Sequence, residues 1–181
     1  MLFFRIILGL TFLLCSVNKD RVIPWKPSQK LTWADFQGEQ DVQSKAAAVT
    51  SSGITFSYSL KRNNNKITGF NVIVEAHFYP DYSWYNKDVA TNHILSHEQL
   101  HFDITELHVR KLRQGISKLP ISQDVKNQLD ALHQLSKQEM QEMQLLYDKQ
   151  SKNSTNREMQ LYWNNFISER LYELERFASP N

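Results

Sequence analysis

Two histidines and a glutamate in one predicted helix constrain this chain more than any other feature. His97, Glu98 and His101 form an H-E-x-x-H pattern within residues 91–112, a segment that contains no glycine or proline. At 3.6 residues per turn, the two histidines stand one above the other on a helix face, about 6 Å apart. Their ring nitrogens can then share one tetrahedral metal at roughly 2.0–2.1 Å each. Glu98 lies at the edge of the same face, where it can act as general base on a water beside that metal. The spacing predicts a zinc site of the kind found in zinc hydrolases.

The surroundings of this pattern support the metal over a structural role. Leu100 and Ile104 place both histidines within the apolar stripe of the helix. Buried imidazoles need partners, and a shared metal supplies them. The alternative is a pair of core histidines satisfied by ordinary hydrogen bonds. The opposite face, which we expect to be solvent-exposed, carries Asn92, Gln99, Glu106, Arg110 and Arg113.

A third metal ligand has to come from outside this helix. His108 lies on the same face, but it is seven residues beyond His101 and therefore about 10.5 Å along the axis. One ion cannot bridge that gap while the helix is continuous. Glu106 is predicted to point to solvent.

The N-terminus has the form of a targeting segment. Residues 1–16 contain one arginine and then an apolar run of about ten residues, which is short for a membrane span and typical of a secretory signal peptide. The alternative is an uncleaved segment that anchors the protein to the membrane. We expect an exported protein, periplasmic or extracellular. Cys15 is the only cysteine, so cleavage after Ser16 would leave a chain without thiols.

Length and composition limit the number of domains and the partners expected for the rest of the chain. Residues 17–181 have the length of a single domain with its own core. Removing Arg5 takes Lys+Arg from 21 to 20 against 19 acidic residues, a net charge of about +1. With no basic run and no nucleic-acid-binding motif, we expect no nucleic acid partner. We also expect no membrane span in the mature chain unless the N-terminal segment is retained.

Residue patterns predict an α+β fold. Two β runs flank an asparagine-rich turn, and the second alternates, with Val72, Val74, Ala76 and Phe78 on one face and Ile73, Glu75 and His77 on the other. Either Asp88 or Thr91 can cap the helix that follows. Two further long helices are expected, one beginning near Ser122 and one over residues 157–177. The aromatic residues expected in the core are Trp25, Trp33 and Phe36. The residues expected on the buried faces of the last two helices are Val125, Leu129, Leu132, Glu139, Met143, Leu146, Leu161, Trp163 or Phe166, and Leu171.

Several segments together resemble a known family. They are LTWADFQG, FYPDYSW, HEQLHFDITELHVRKLR and YDKQS, and the resemblance extends from about Leu31 to Phe177. The family is a bacterial domain of unknown function whose members are described as predicted secreted zinc-dependent proteases. The resemblance implies a single zincin-like domain, with a small antiparallel sheet before the H-E-x-x-H helix. One position departs from the pattern Y-D-x-x-T-x-H, because Asn153 stands where a histidine is usual and Ser151 where a threonine is usual.

The resemblance also suggests where the third ligand lies. Asp148, within the YDKQS segment, is the preferred candidate, since a carboxylate can bind zinc at about 2.0–2.2 Å. Glu139 is the rival, because it is predicted to lie on an apolar face with no evident partner. Asn153 offers only a neutral amide oxygen, and His77 or His93 would require the chain to fold back.

Two functions are therefore open. The first is a secreted metallopeptidase that binds Zn²⁺ through His97, His101 and Asp148, uses Glu98 as general base, and cleaves a peptide or protein substrate. The second is a secreted binding or structural module that keeps a degenerate zincin fold without turnover, as the missing histidine at Asn153 would allow.

Overall fold

The computed structural model describes residues 21–179, which form an α+β arrangement of two small antiparallel sheets and three long helices. One sheet has the strand order β1-β4-β3 and the other pairs β2 with β5. The prediction of an α+β fold is confirmed. The strands are β1 (Ile23–Pro24), β2 (Ala48–Val49), β3 (Ser52–Asn63), β4 (Lys66–Phe78) and β5 (Trp84–Tyr85). The helices are α1 (Asn92–Ile116), α2 (Val125–Ser151) and α3 (Arg157–Glu173), with short 3-10 turns at Trp33–Asp35, Pro80–Tyr82 and Glu175–Phe177.

The β3–β4 hairpin is the platform on which α1 lies. Its turn consists of Asn64 and Asn65, both with positive φ, a conformation that asparagine tolerates better than most residues. Along β4 the alternation follows the prediction, because Val74, Ala76 and Phe78 are buried while Ile73 is 59% exposed. Full burial of a side chain such as that of Phe78 contributes about 1.5–3 kcal/mol. Trp25 and Phe36 pack into the same core, and Trp33 lies at its edge, as expected.

Helix α1 is the central element of the fold and is enclosed on most sides. Thr91 caps its start by accepting a hydrogen bond from the Ile94 N–H at 3.2 Å, and no break follows before Ile116. The predicted solvent face of this helix is confirmed at Asn92, which is exposed, and wrong at Glu106 and Arg110. Both are buried because the sheet, α2, α3 and residues 25–31 together surround α1.

The two buried charges neutralise each other inside the core. Arg110 Nε donates to Glu106 Oε1 at 2.8 Å, the Arg110 guanidinium lies over the Trp25 ring, and its Nη1 donates to the Leu171 carbonyl at 2.6 Å. Burial raises the pKa of the Glu106 carboxyl, although Arg110 and Arg113 act in the opposite direction. The pair therefore joins α1 to the segment that ends α3.

The last two helices pack against α1 and run in opposite directions to each other. The contacts of His101 with Gln144 and of His108 with Ser136 show that α2 runs antiparallel to α1. His97 contacts Gln160 near the start of α3, and Arg110 contacts Leu171 near its end, so α3 runs parallel to α1. The predicted buried faces are confirmed at Val125, Leu129 and Trp163, which are buried. They are wrong at Glu139, Leu146 and Leu161, which are exposed because α2 and α3 leave a groove between them and present their outer faces to solvent.

No helix within residues 21–179 is long and apolar enough to cross a membrane. The predicted signal peptide, residues 1–16, lies outside the described residues.

Candidate metal centre

The centre is built from two helices that meet side by side. Helix α1 supplies His97 and His101 one turn apart, and α2 supplies Asp148 near its C-terminal end. Asp148 Oδ1 lies 3.2 Å from His97 Nε2 and 3.0 Å from His101 Nε2, and the two Nε2 atoms are 3.3 Å apart. The structure thus brings together the three residues predicted as ligands.

These separations match those of a tetrahedral zinc site. Two ligand atoms held at about 2.0–2.1 Å from a tetrahedral ion are about 3.3 Å apart, from the geometry of the tetrahedral angle. His97 and His101 Nε2 and Asp148 Oδ1 all lie within 4.8 Å of one another. No other group of three or more His, Cys, Asp or Glu residues with this arrangement occurs in residues 21–179.

Two glutamines fix the orientation of the imidazoles. Gln144 Oε1 is in hydrogen-bond contact with His101 Nδ1, while Gln144 Nε2 donates to the His101 carbonyl at 3.0 Å. Because a carbonyl can only accept, the amide nitrogen must face it, and the amide oxygen must face the ring. His101 Nδ1 therefore carries the proton, and its Nε2 directs a lone pair into the centre. Gln160 Oε1 lies 3.0 Å from His97 Nδ1 in the equivalent position. Such partners are typical of metal-binding histidines.

The donor atoms are poorly satisfied without a cation. Asp148 Oδ1 is buried and makes no hydrogen bond within the described chain. When both rings carry their proton on Nδ1, two imidazole lone pairs and a carboxylate oxygen face one another at 3.0–3.3 Å. Such an arrangement is repulsive unless a positive charge lies between the atoms. The residues present therefore fit a bound metal ion.

The pKa shifts of His101 and Asp148 also favour a bound cation in this centre. Burial alone lowers the pKa of His101, but contact with Asp148 and the charge of Glu98 raise it above its ordinary value of 6.5. Burial alone raises the pKa of Asp148, but His101 and His97 hold it well below its usual range. Both shifts show that this cluster favours an added positive charge, which can be a proton or a metal ion.

An aromatic wall closes one side of the centre. The Tyr147 ring stacks on His97 with centroids 4.5 Å apart, and its hydroxyl donates to Gln160 Oε1 at 2.8 Å. Burial raises the pKa of the Tyr147 hydroxyl, so this group stays protonated and acts as a donor. Trp163 of α3 packs behind Tyr147. Because Tyr147 and Trp163 are both buried, this wall keeps water away from one side of the donor atoms.

Helix α1 places Glu98 beside the candidate metal ligands, close enough for its charge to act on His101. The residue is buried, and within residues 21–179 its carboxylate forms no hydrogen bond. Its backbone carbonyl accepts a hydrogen bond from Thr50 Oγ1 at 3.2 Å, which connects this turn of α1 to the start of the sheet. A carboxylate without other partners is free to accept a proton.

Other predicted candidates lie elsewhere. Glu139 is exposed, with Oε2 4.0 Å from His108 Nδ1, so the expectation that it is a buried rival ligand is wrong. His108 is two turns along the continuous helix α1, as expected. His93 Nε2 contacts the Ser154 carbonyl at 2.6 Å, and His77 contacts Thr55. Neither histidine joins the cluster.

The end of α2 fixes the position of Asp148. The backbone carbonyl of Asp148 accepts hydrogen bonds from the N–H groups of Lys152 and Asn153, the latter at 3.0 Å. Lys152, Asn153 and Ser154 all have positive φ, which is uncommon for consecutive non-glycine residues and is often found near functional sites. Asn153, the position that departs from the resembled pattern, is exposed in this turn.

A comparison with protein families places the chain. Residues 29–156 match the family described as "Bacterial protein of unknown function (DUF922)". The chain belongs to this family. The match includes His97, Glu98, His101 and Asp148, but it ends before Gln160. Searches of curated proteins and of solved structures gave no match. The family resemblance inferred from sequence is thus confirmed, while the family's description assigns no activity.

Proposed function

We propose that this DUF922 protein is a zinc-dependent hydrolase of the peptidase class with a zincin-like centre. His97, His101 and Asp148 hold the metal, and Glu98 is the general base. The observation that carries the proposal is the convergence of His97 Nε2, His101 Nε2 and Asp148 Oδ1 within 3.0–3.3 Å, with the histidine tautomer set by an amide partner.

The donor set favours zinc over other common ions. Two imidazole nitrogens and one carboxylate oxygen suit zinc, whereas calcium and magnesium prefer oxygen ligands alone. Three protein ligands leave a fourth position open, as in catalytic rather than structural zinc sites. When bound, zinc would polarise the substrate carbonyl and lower the pKa of a coordinated water.

The residues around the metal have separate tasks. Glu98 accepts a proton from the attacking water at its carboxylate and returns it to the leaving amine. Gln144 keeps His101 Nε2 free of a proton, and Gln160 is placed to do the same for His97. Tyr147 excludes water from the opposite side of the imidazoles. We propose a peptide or protein substrate outside the cytoplasm, on the basis of the apolar N-terminal segment.

A second candidate is a binding module that retains the metal without turnover. It is favoured by Asn153, which replaces the histidine of the resembled sequence pattern. The two functions differ in hydrolysis and agree in metal binding, so both properties have to be measured on the same preparation.

The experiment compares Glu98→Gln with wild type and with Glu158→Gln, an exposed glutamate on α3. Zinc content and hydrolysis of an unbiased peptide library are measured for each protein. We expect all three to bind one zinc per chain, and only Glu98→Gln to lose activity, by at least about 10²-fold. Full turnover in Glu98→Gln would refute the mechanism. Stoichiometric zinc with no hydrolysis by the wild type would favour the binding module.

A further inference from the structure

One histidine outside the metal centre connects the first turn of α1 to the turn that ends α2. The His93 imidazole is half-buried, and its Nε2 lies 2.6 Å from the Ser154 carbonyl. Because a carbonyl can only accept, this nitrogen carries a proton and donates the hydrogen bond. His93 precedes His97 by four residues, so His93, His97 and His101 follow one another along one face of α1. The contact therefore lies one helical turn from the metal ligands.

The turn that receives this hydrogen bond has an unfavourable backbone. Lys152, Asn153 and Ser154 have φ values of 51°, 49° and 72°, which lie in the left-handed region. Residues with a side chain adopt this region at a cost, and asparagine tolerates it better than lysine or serine does. Such a turn persists only where its surroundings hold it in place. Within the described residues, His93 supplies the one hydrogen bond to residues 151–156 that comes from outside α2, α3 and the turn itself.

The same turn determines where the Asp148 carboxylate lies. The Asp148 carbonyl accepts two N–H groups of the turn, including that of Asn153 at 3.0 Å. Before Asp148, the side chains of Gln144 and Tyr147 connect α2 to α1 by hydrogen bonds. Between Asp148 and the start of α3, the described chain has one hydrogen bond to α1, that of His93. Asp148 is therefore held on both sides, and loss of the His93 contact would leave its C-terminal side without a hydrogen bond to α1.

We propose that His93 is a positioning residue for Asp148. Its N–H on the Ser154 carbonyl holds the left-handed turn. The turn in its place holds the Asp148 carboxylate oxygen 3.0 Å from His101 Nε2 and 3.2 Å from His97 Nε2. His93 itself is not a member of the ligand cluster. The inference rests on the proposed metal centre and goes beyond it, because it assigns a task to a histidine whose loss leaves all three ligands present.

The test compares His93→Leu, which removes the donor, with His93→Gln, which keeps a side-chain N–H. Zinc affinity is measured by competition with a chelator. We expect His93→Leu to bind zinc about tenfold more weakly, the lower end of the effect of losing an outer partner of a metal ligand. His93→Gln should bind zinc nearly as tightly as wild type, because it restores the hydrogen bond. His77→Leu is the matched control, since His77 is also half-buried but lies in the sheet, where it contacts Thr55, and zinc affinity should not change.

A second background separates positioning from general packing. Asp148→Asn removes the ligand through which His93 acts, so adding His93→Leu to it should weaken zinc binding no further. An equal loss in both backgrounds would show that His93 acts on the packing of α1 rather than through Asp148, and would overturn the proposal. Equal zinc affinity of wild type and His93→Leu would overturn it too, as would a loss of the same size in His93→Gln.

Hydrogen exchange of the metal-free protein distinguishes this inference from the proposed function. The Asn153 N–H, which donates to the Asp148 carbonyl, should exchange up to about tenfold faster in His93→Leu, the effect of one hydrogen bond. The Leu95 N–H, in the first turn of α1, should exchange at the wild-type rate. A wild-type protein that binds no zinc would refute the proposed function, and faster exchange at Asn153 would then still support the His93 contact. Unchanged exchange at Asn153 would overturn the inference whatever the zinc result.

Discussion

Replacing Asp148 by asparagine tests the predicted third ligand with the smallest change in shape. The substitution exchanges a carboxylate for a neutral amide, whose oxygen is a much weaker zinc donor. Loss of an outer partner of a metal ligand typically weakens metal binding about 10- to 100-fold. Loss of a direct ligand should therefore weaken zinc binding by at least about 100-fold.

The loss of zinc affinity can be expressed as a change in melting temperature. At free zinc equal to 100 times the wild-type Kd, binding stabilises the folded state by about 2.7 kcal/mol. In a chain of this length, 1 kcal/mol shifts Tm by about 2–4 °C, so zinc should raise the wild-type Tm by about 5–11 °C. At the same free zinc, Asp148→Asn with 100-fold weaker binding gains about 0.4 kcal/mol, or about 1 °C.

Calorimetric melting in zinc buffers measures this difference directly. Each protein is compared with its own metal-free form, so that any effect of the substitution on the apo protein cancels. Asp124→Asn is the matched control, since it makes the same chemical change at the other end of α2, about 36 Å away. It should keep the full zinc-dependent rise. An equal rise in Asp148→Asn and wild type would show that Asp148 is not a ligand.

Three further predictions concern the surroundings of the centre and the core. Gln144→Met should weaken zinc binding about 10- to 100-fold in calorimetric titrations, while Gln138→Met, on the exposed side of α2, should leave it unchanged. Zinc affinity should fall about tenfold per pH unit below the pKa of His101, which lies above 6.5, because zinc must displace that proton; a flat profile from pH 8 to 5.5 would contradict this. Folding stability should decrease as the pH falls from 6.5 towards 3, by up to roughly 5 kcal/mol from His108 alone, since the unfolded chain binds this proton more readily. Denaturant unfolding at several pH values should show a shallower slope in His108→Leu.

Local patterns in the sequence predicted the parts of the fold that depend on short-range geometry. The alternation along residues 72–78 and the cap at Thr91 follow from strand and helix periodicity, and the structure confirms both. The H-E-x-x-H spacing brought two imidazoles together because helix geometry alone determines that distance. Asp148 required the family resemblance as well, since no local rule places a residue 47 positions beyond His101.

Long-range packing accounts for the predictions that are wrong. Helical periodicity assumes one solvent face, but α1 is enclosed, so Glu106 and Arg110 are buried as an ion pair. Helical periodicity places Glu139 on a buried face, because the groove between α2 and α3 has no signature in the sequence. Gln144 and Gln160 were not identified, because an uncharged amide at no fixed spacing carries no local signal.

The most direct test of the central claim is a crystal structure of the zinc-loaded protein, with anomalous scattering measured at the zinc absorption edge. We expect one strong peak about 2.0–2.2 Å from His97 Nε2, His101 Nε2 and a carboxylate oxygen of Asp148. The same peak should be present in Glu98→Gln. In a crystal grown with excess zinc, a peak that lies away from these three atoms, or the absence of any peak, would contradict the proposed metal centre.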